Sequence, residues 1–138
     1  MTEIINTPDR TPDRRPRGEM QIRTVAMPAD TNPNGDIFGG WVLSQMDIAG
    51  GLAAAARARG RVATVAIDAM TFVRPVKVGD ILCCYAEVER VGTTSIAIAI
   101  EAWKIRWFEQ REERILVTEG RFTYVAIDDR GQKRPVAG

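Results

Sequence analysis

One Ala- and Gly-rich stretch followed by four β-rich runs with short connections leaves this chain few folds to choose from. The runs, VATVAIDAMTFV, ILCCYAEVERV, TTSIAIAIEAWKI and ILVTEGRFTYVAI, are dense in Val, Ile, Thr and aromatics. Such composition favours strands, and connections this short favour antiparallel neighbours. They are expected at RPVKVGD, at Gly92 and over the charged EQREER, with a closing turn at DDRGQ. In the run that starts at Thr93, residues Thr94, Ile96, Ile98 and Ile100 alternate with Ser95, Ala97, Ala99 and Glu101, so one face is bulky and apolar. That face needs a cover.

The stretch from about Phe38 to Ala58 can supply it. It lacks turn residues apart from its Gly pairs, which predicts a helix ending near Gly60. Gly costs roughly 0.5 to 1 kcal/mol in a helix interior, so glycines kept there imply a backbone that something else approaches closely. Ahead of it MQIRTVAM alternates Ile22, Thr24 and Ala26 against Gln21, Arg23 and Val25, a short strand, and PADTNPNGD is a loop by composition. These elements make an α+β layer pair, a long central helix wrapped by a five-stranded or slightly larger antiparallel sheet. The 138 residues fit one domain, expected over residues 20–138. Residues 1–19, rich in Pro, Asp and Arg, bury too little apolar surface to offset their ordering entropy and are expected to be a mobile tail.

Lys and Arg total 19 against 18 for Asp and Glu, so the net charge of +1 gives no general reason to expect nucleic acid or an acidic membrane as partner. Any anion site must be local. No stretch approaches the roughly 18 to 20 apolar residues of a bilayer span, and the N-terminus lacks a signal-peptide apolar region, so a cytoplasmic protein is expected. Cys83 and Cys84 are adjacent in a strand-like run, where a mutual disulfide would be strained, and are expected to be reduced packing residues. The chain has no His. Its absence removes Ser-His-Asp and Cys-His nucleophile machinery and a His-ligated zinc, and two adjacent cysteines make no thiolate cage. Acid-base work would fall to carboxylates, backbone dipoles and water, with no metal or cofactor expected.

The segment GDIFGGWVLSQMDIAGGL then stands out, because it sets one acid, Asp47, in the middle of the helix that ought to bury its apolar face. TNPNGDIFGGWVLSQMDIAGG, VATVAIDAMTFVRPVKVGD and GTTSIAI, in this order and spacing, resemble the YciA-type acyl-coenzyme A thioesterases of the hotdog fold, from about Ile22 to Val136. The resemblance implies a hydrolase that cleaves fatty or short-chain acyl-coenzyme A to the free acid and coenzyme A. It also implies active sites at the interface of a two-hotdog homodimer, assembled further as a trimer of dimers, a hexamer, or as a tetramer. By motif position Asp47 is the catalytic carboxylate and Gly39 the backbone donor to the thioester carbonyl. Asn32, Asn34 and Asp36 are candidates for a polar side chain from the partner subunit. Many hotdog thioesterases carry His before the Gly pair, whereas this chain has Phe38, so any role of that His is missing here.

The same residues can be argued from chemistry. Thioester hydrolysis needs stabilisation of the carbonyl oxyanion and either an activated water or a nucleophile. A helix N-terminus offers unpartnered N–H groups and a favourable dipole, and Gly39 and Gly40 at that end carry no side chain to block an acyl group. Asp47 lies about 12 Å further along the helix at 1.5 Å per residue, with only apolar or small helix neighbours in Leu43, Gly50, Gly51 and Ala54. Asp68 is an outside candidate, better used in a cross-strand hydrogen bond. For the coenzyme phosphates the candidate cation is Arg74, ahead of Lys77 and Arg61. Thr93, Thr94 and Ser95 would line the coenzyme channel by resemblance, or reflect ordinary β-propensity. Val62, Thr64 and Val65 would form a strand edge open to pantetheine amides. The competing reading is a non-catalytic acyl-coenzyme A binder or regulator; a hotdog hydratase is disfavoured because those enzymes use His.

Overall fold

The computed structural model describes residues 14–136. Five strands, β1 (Glu19–Val25), β2 (Val62–Phe72), β3 (Ile81–Val91), β4 (Ser95–Phe108) and β5 (Arg111–Ala126), pair antiparallel throughout, in the order β1-β3-β4-β5-β2. One helix, α1 (Gly39–Ala58), lies across them, and the expected hotdog arrangement of a helix wrapped by a five-stranded sheet is present. Among the described residues β2 pairs only with β5, which leaves its other edge unpaired there.

α1 buries Val42, Met46, Ala49, Gly50, Ala54 and Ala58, residues spaced so that they fall on one stripe. Against that stripe β4 sets Ile96, Ile98 and Ile100, and β5 sets Val117, Phe122 and Tyr124. The bulky alternate positions of β4 thus face the helix, and the Ala residues of α1 let the two layers come close. Arg59, in the left-handed conformation at φ 57°, ends the helix. Arg134 then reaches back so that its Nη2 donates to the Ala58 carbonyl at 3.1 Å.

Cys83 and Cys84, both buried and unbridged, point to opposite sides of the sheet. Cys84 belongs to the helix-side core, while Cys83 joins Tyr85, Trp103, Ile105 and Leu116 on the outer face. Burial pushes the Cys84 thiol up to about 12.

Two expectations are corrected. The charged segment EQREER is not a loop: only Glu109 and Gln110 turn, at φ 50° and 65°, and Arg111 to Arg114 already pair across to Phe108, Trp107, Arg106 and Ile105. Two consecutive left-handed residues twist the backbone the way a two-residue hairpin requires, so charge at this exposed tip marked solvent and not the end of the strands. The expected tail lies outside the described residues for 1–13, but its last part is held against the sheet, and Glu19 already belongs to β1. Glu101, buried at 4% exposure, accepts from Arg14 Nη2 at 2.7 Å, the Arg17 N–H at 3.0 Å and Trp103 Nε1 at 2.9 Å. A buried carboxylate needs such donors, and the Arg residues that look like a solvated charge run supply them.

Candidate active site

Asp47 is half-buried in the middle of α1. On its own helix Ser44, one turn before it, donates to the Trp41 carbonyl at 2.7 Å instead, but the sheet supplies partners. Thr64 Oγ1 donates to Asp47 Oδ1 at 2.8 Å, and the Tyr124 hydroxyl lies 3.0 Å from the same oxygen and 2.9 Å from the Asp47 backbone carbonyl. Thr64 and Tyr124 are directly opposite each other in the β2–β5 ladder, which is why two hydroxyls meet at one point. Tyr124 is 1% exposed, and burial first, then the charge of Asp47, push its phenol well above the usual range. It therefore stays protonated and able to donate. One turn beyond Asp47, Gly50 leaves the space this requires: a Cβ there would overlap the Tyr124 hydroxyl and the Cδ1 of Ile100.

The second group of candidates gathers at the start of α1. Phe38 at the N-cap makes no side-chain cap, and among the described residues no acceptor outside the helix takes the N–H groups of Gly39 or Gly40. A cavity of about 360 Å³ lies against this end, with Asn32, Asp36, Gly39, Phe72 and Arg74 in its lining. The Asn32 side-chain oxygen accepts from the N–H groups of Asn34 at 2.9 Å and Asp36 at 3.1 Å. That turn occupies its acceptor and leaves its amide N–H groups as what Asn32 can offer a ligand. Asp36 is ion-paired with Lys77, and Asn34 does not line the cavity.

A model of the thioesterase superfamily matches residues 34–106, more than half of the chain and a span that includes Gly39, Asp47, Thr64 and Arg74. The chain belongs to the thioesterase superfamily. Acyl-CoA thioester hydrolase YciA of Salmonella typhimurium is 55% identical to it over 127 residues, which cover 91% of this chain and 96% of that protein. Among solved structures it is similar to a hexameric broad-specificity acyl-coenzyme A thioesterase, with a TM-score of 0.85, 47% identity and coverage of 91% of this chain and 85% of the other. A hexameric hotdog-fold thioesterase of Campylobacter jejuni gives a TM-score of 0.82 at 45% identity, with coverage of 87% and 91%.

The remaining candidates of this thioesterase are scattered. Thr93 and Thr94, at the entry to β4, use their carbonyls to accept from the N–H groups of Val136 and Ala126, and the Ser95 carbonyl accepts from Gly92. Those bonds close the sheet corner, and none of the three lines the cavity at Gly39. Arg61 donates to the carbonyls of Asp128 and Asp129 at 3.3 and 3.2 Å, a tie between loops. Val62 packs on the core, Val65 is exposed on β2, and Asp68 faces Arg121 across the ladder. Thr64 belongs beside Asp47. Tyr124 escaped the sequence reading because TEGRFTYVAI looks like ordinary strand. The available signal was its alternation with Phe122, which puts a phenol on the core side, where its hydroxyl must find a partner.

Asp47 does not line the cavity at Gly39. They are eight residues apart on α1, about 12 Å. Thr64 and Phe72, which mark the two sites on β2, pair with Tyr124 and Thr118 across irregularities in the ladder, and those partners are six residues apart on β5, about 20 Å in an extended strand.

Proposed function

We propose that this protein hydrolyses fatty or short-chain acyl-CoA thioesters to the free acid and coenzyme A, with Asp47 as general base. The observation that carries the reading is the setting of Asp47. An acid retained for structure would cap a helix or meet a cation. Asp47 instead accepts hydroxyl hydrogen bonds from the sheet, is still half-open, and has only small or apolar neighbours along its helix. The YciA relatives are named as acyl-CoA thioester hydrolases, which supports the same activity.

In this reading the carboxylate takes a proton from water as the oxygen attacks the thioester carbonyl. The oxyanion that forms is met by the Gly39 N–H at the helix N-terminus, and collapse of the adduct expels the coenzyme A thiolate, which the proton taken by Asp47 can neutralise. Direct attack by Asp47 to give a mixed anhydride, cleaved by water in a second step, would use the same residues.

The two halves meet if a second copy adds to the open edge of β2. Antiparallel pairing of β2 with its twofold mate about a point near Ile67 sets the Thr64 end of one strand beside the Phe72 end of the other. Asp47 of one copy then faces Gly39, Asn32 and Arg74 of the other. Asn32 is the loop side chain placed to assist, and Arg74 the cation for a coenzyme phosphate. Exposed Val65, Ile67, Phe72 and Val73 along this edge suit such burial, and the hexameric relatives support a trimer of these dimers.

Thiol release measured with acyl-CoA esters of graded chain length tests the reading. Turnover with at least one ester is expected; saturable binding of every ester without product would assign the protein to the binders.

A further inference from the structure

Accepting Asp47 as the reacting acid, its two oxygens are not equivalent. Both hydroxyls from the sheet are aimed at Oδ1, and among the described residues no donor reaches Oδ2. Tyr124 has one proton and two acceptors in reach, the carboxylate oxygen at 3.0 Å and the Asp47 carbonyl at 2.9 Å. An ionised carboxylate is the stronger acceptor, and the backbone carbonyl of a mid-helix residue already has the N–H four residues on, so the proton goes to Oδ1. The phenol can occupy this place only because Gly50 carries no Cβ. Tyr124 is held in turn by the core, stacked on Phe122 with ring centroids 6.4 Å apart.

We infer that Tyr124, admitted by Gly50 and seconded by Thr64, is a positioning residue that anchors Oδ1 of Asp47 and so assigns Oδ2 to the reacting water or carbonyl. A carboxylate whose one polar neighbour a turn away on the helix, Ser44, donates elsewhere, to the Trp41 carbonyl, would rotate about its side-chain torsions and present either oxygen in many directions. Two hydroxyl donors on one oxygen fix the plane of the group, so that the other meets the substrate in one orientation. Tyr124 does not touch substrate in this arrangement. Its loss therefore acts on the chemical step and spares ground-state binding.

Tyr124→Phe keeps the ring, its packing and its volume and removes only the hydroxyl. In the full chain, steady-state thiol release from an acyl-CoA that the wild type turns over is expected to show kcat about 10-fold lower, with KM within about twofold. Thr64→Val should produce a similar split. The double variant should lose less than the product of the two, because both donors serve one oxygen. A Tyr124→Phe enzyme with kcat within about twofold of wild type, or with its loss confined to KM, would overturn the inference. If that variant failed to fold, Thr64→Val would decide on the same criteria. Inactivity of the wild type toward every ester would instead defeat the hydrolase reading itself, a result distinct from either.

Discussion

At the scale of single residues, burial decides which side chains are available for chemistry. The two thiols are the sharpest contrast to Asp47: both are fully buried, and Cys84 is pushed up to about 12, so neither is a nucleophile at neutral pH. Cys84 is expected to resist iodoacetamide at pH 8 in the folded protein and to react on unfolding, measured by mass spectrometry; rapid alkylation of the native chain would contradict its burial. The linkage has a definite sign. The folded thiol holds its proton to about 12 against 9.0 for the ordinary group, so its contribution is intact below about pH 9 and is lost as pH rises from there toward 12. Asp47 was legible from sequence because an acid in an apolar helix has few innocent uses. Its partners were not, because Thr64 and Tyr124 lie 17 and 77 residues away, and only the strand register brings them together. Gly50 was legible as a point of close approach, but not what approaches it.

At the scale of elements, alternation made the strands readable, and composition misled where charge sits on an exposed hairpin. Ile96, Ile98 and Ile100 announce a one-sided strand that survives intact in β4. EQREER conceals a continuous ladder, because Glu112 and Arg114 sit on the exposed side of β5 and carry no apolar period. Its tip is not optimal. Glu109 and Gln110 both adopt positive φ, which costs residues with a Cβ roughly 1 kcal/mol or more each. Replacing them with Asn and Gly, the pair that two-residue hairpins prefer, should raise the thermal midpoint by about 3 °C without altering turnover. An unchanged or lowered midpoint would mean that the tip is held by something other than its turn. Arg14 and Arg17 carry a related lesson: Pro- and Arg-rich sequence reads as tail until a buried acceptor such as Glu101 is known to await it.

At the scale of the whole molecule, one protomer holds the two groups of candidate residues apart, as the halves of the proposed site. The acid with its hydroxyls lies at one end of β2, and the bare helix N-terminus with its cavity lies at the other. With Asp47 proposed as the base and Gly39 as the oxyanion donor, neither half alone serves one carbonyl, and the proposal places turnover in the assembly. The sequence could name the acid of one half and the bare helix N-terminus of the other, since each lies in a short motif, but not the hydroxyls that hold the acid. It could not show that the two halves are separated, because where two motifs lie along an edge strand depends on strand pairing that no local pattern records. The most direct test is the hydrolysis rate of Asp47→Asn, which keeps the size of the side chain and its capacity to accept from Thr64 and Tyr124 but cannot take a proton. With the assembly verified by light scattering, kcat for acyl-CoA hydrolysis is expected to fall by about 1,000-fold or more. An Asp47→Asn assembly of native size that turned over within about tenfold of wild type would contradict the account.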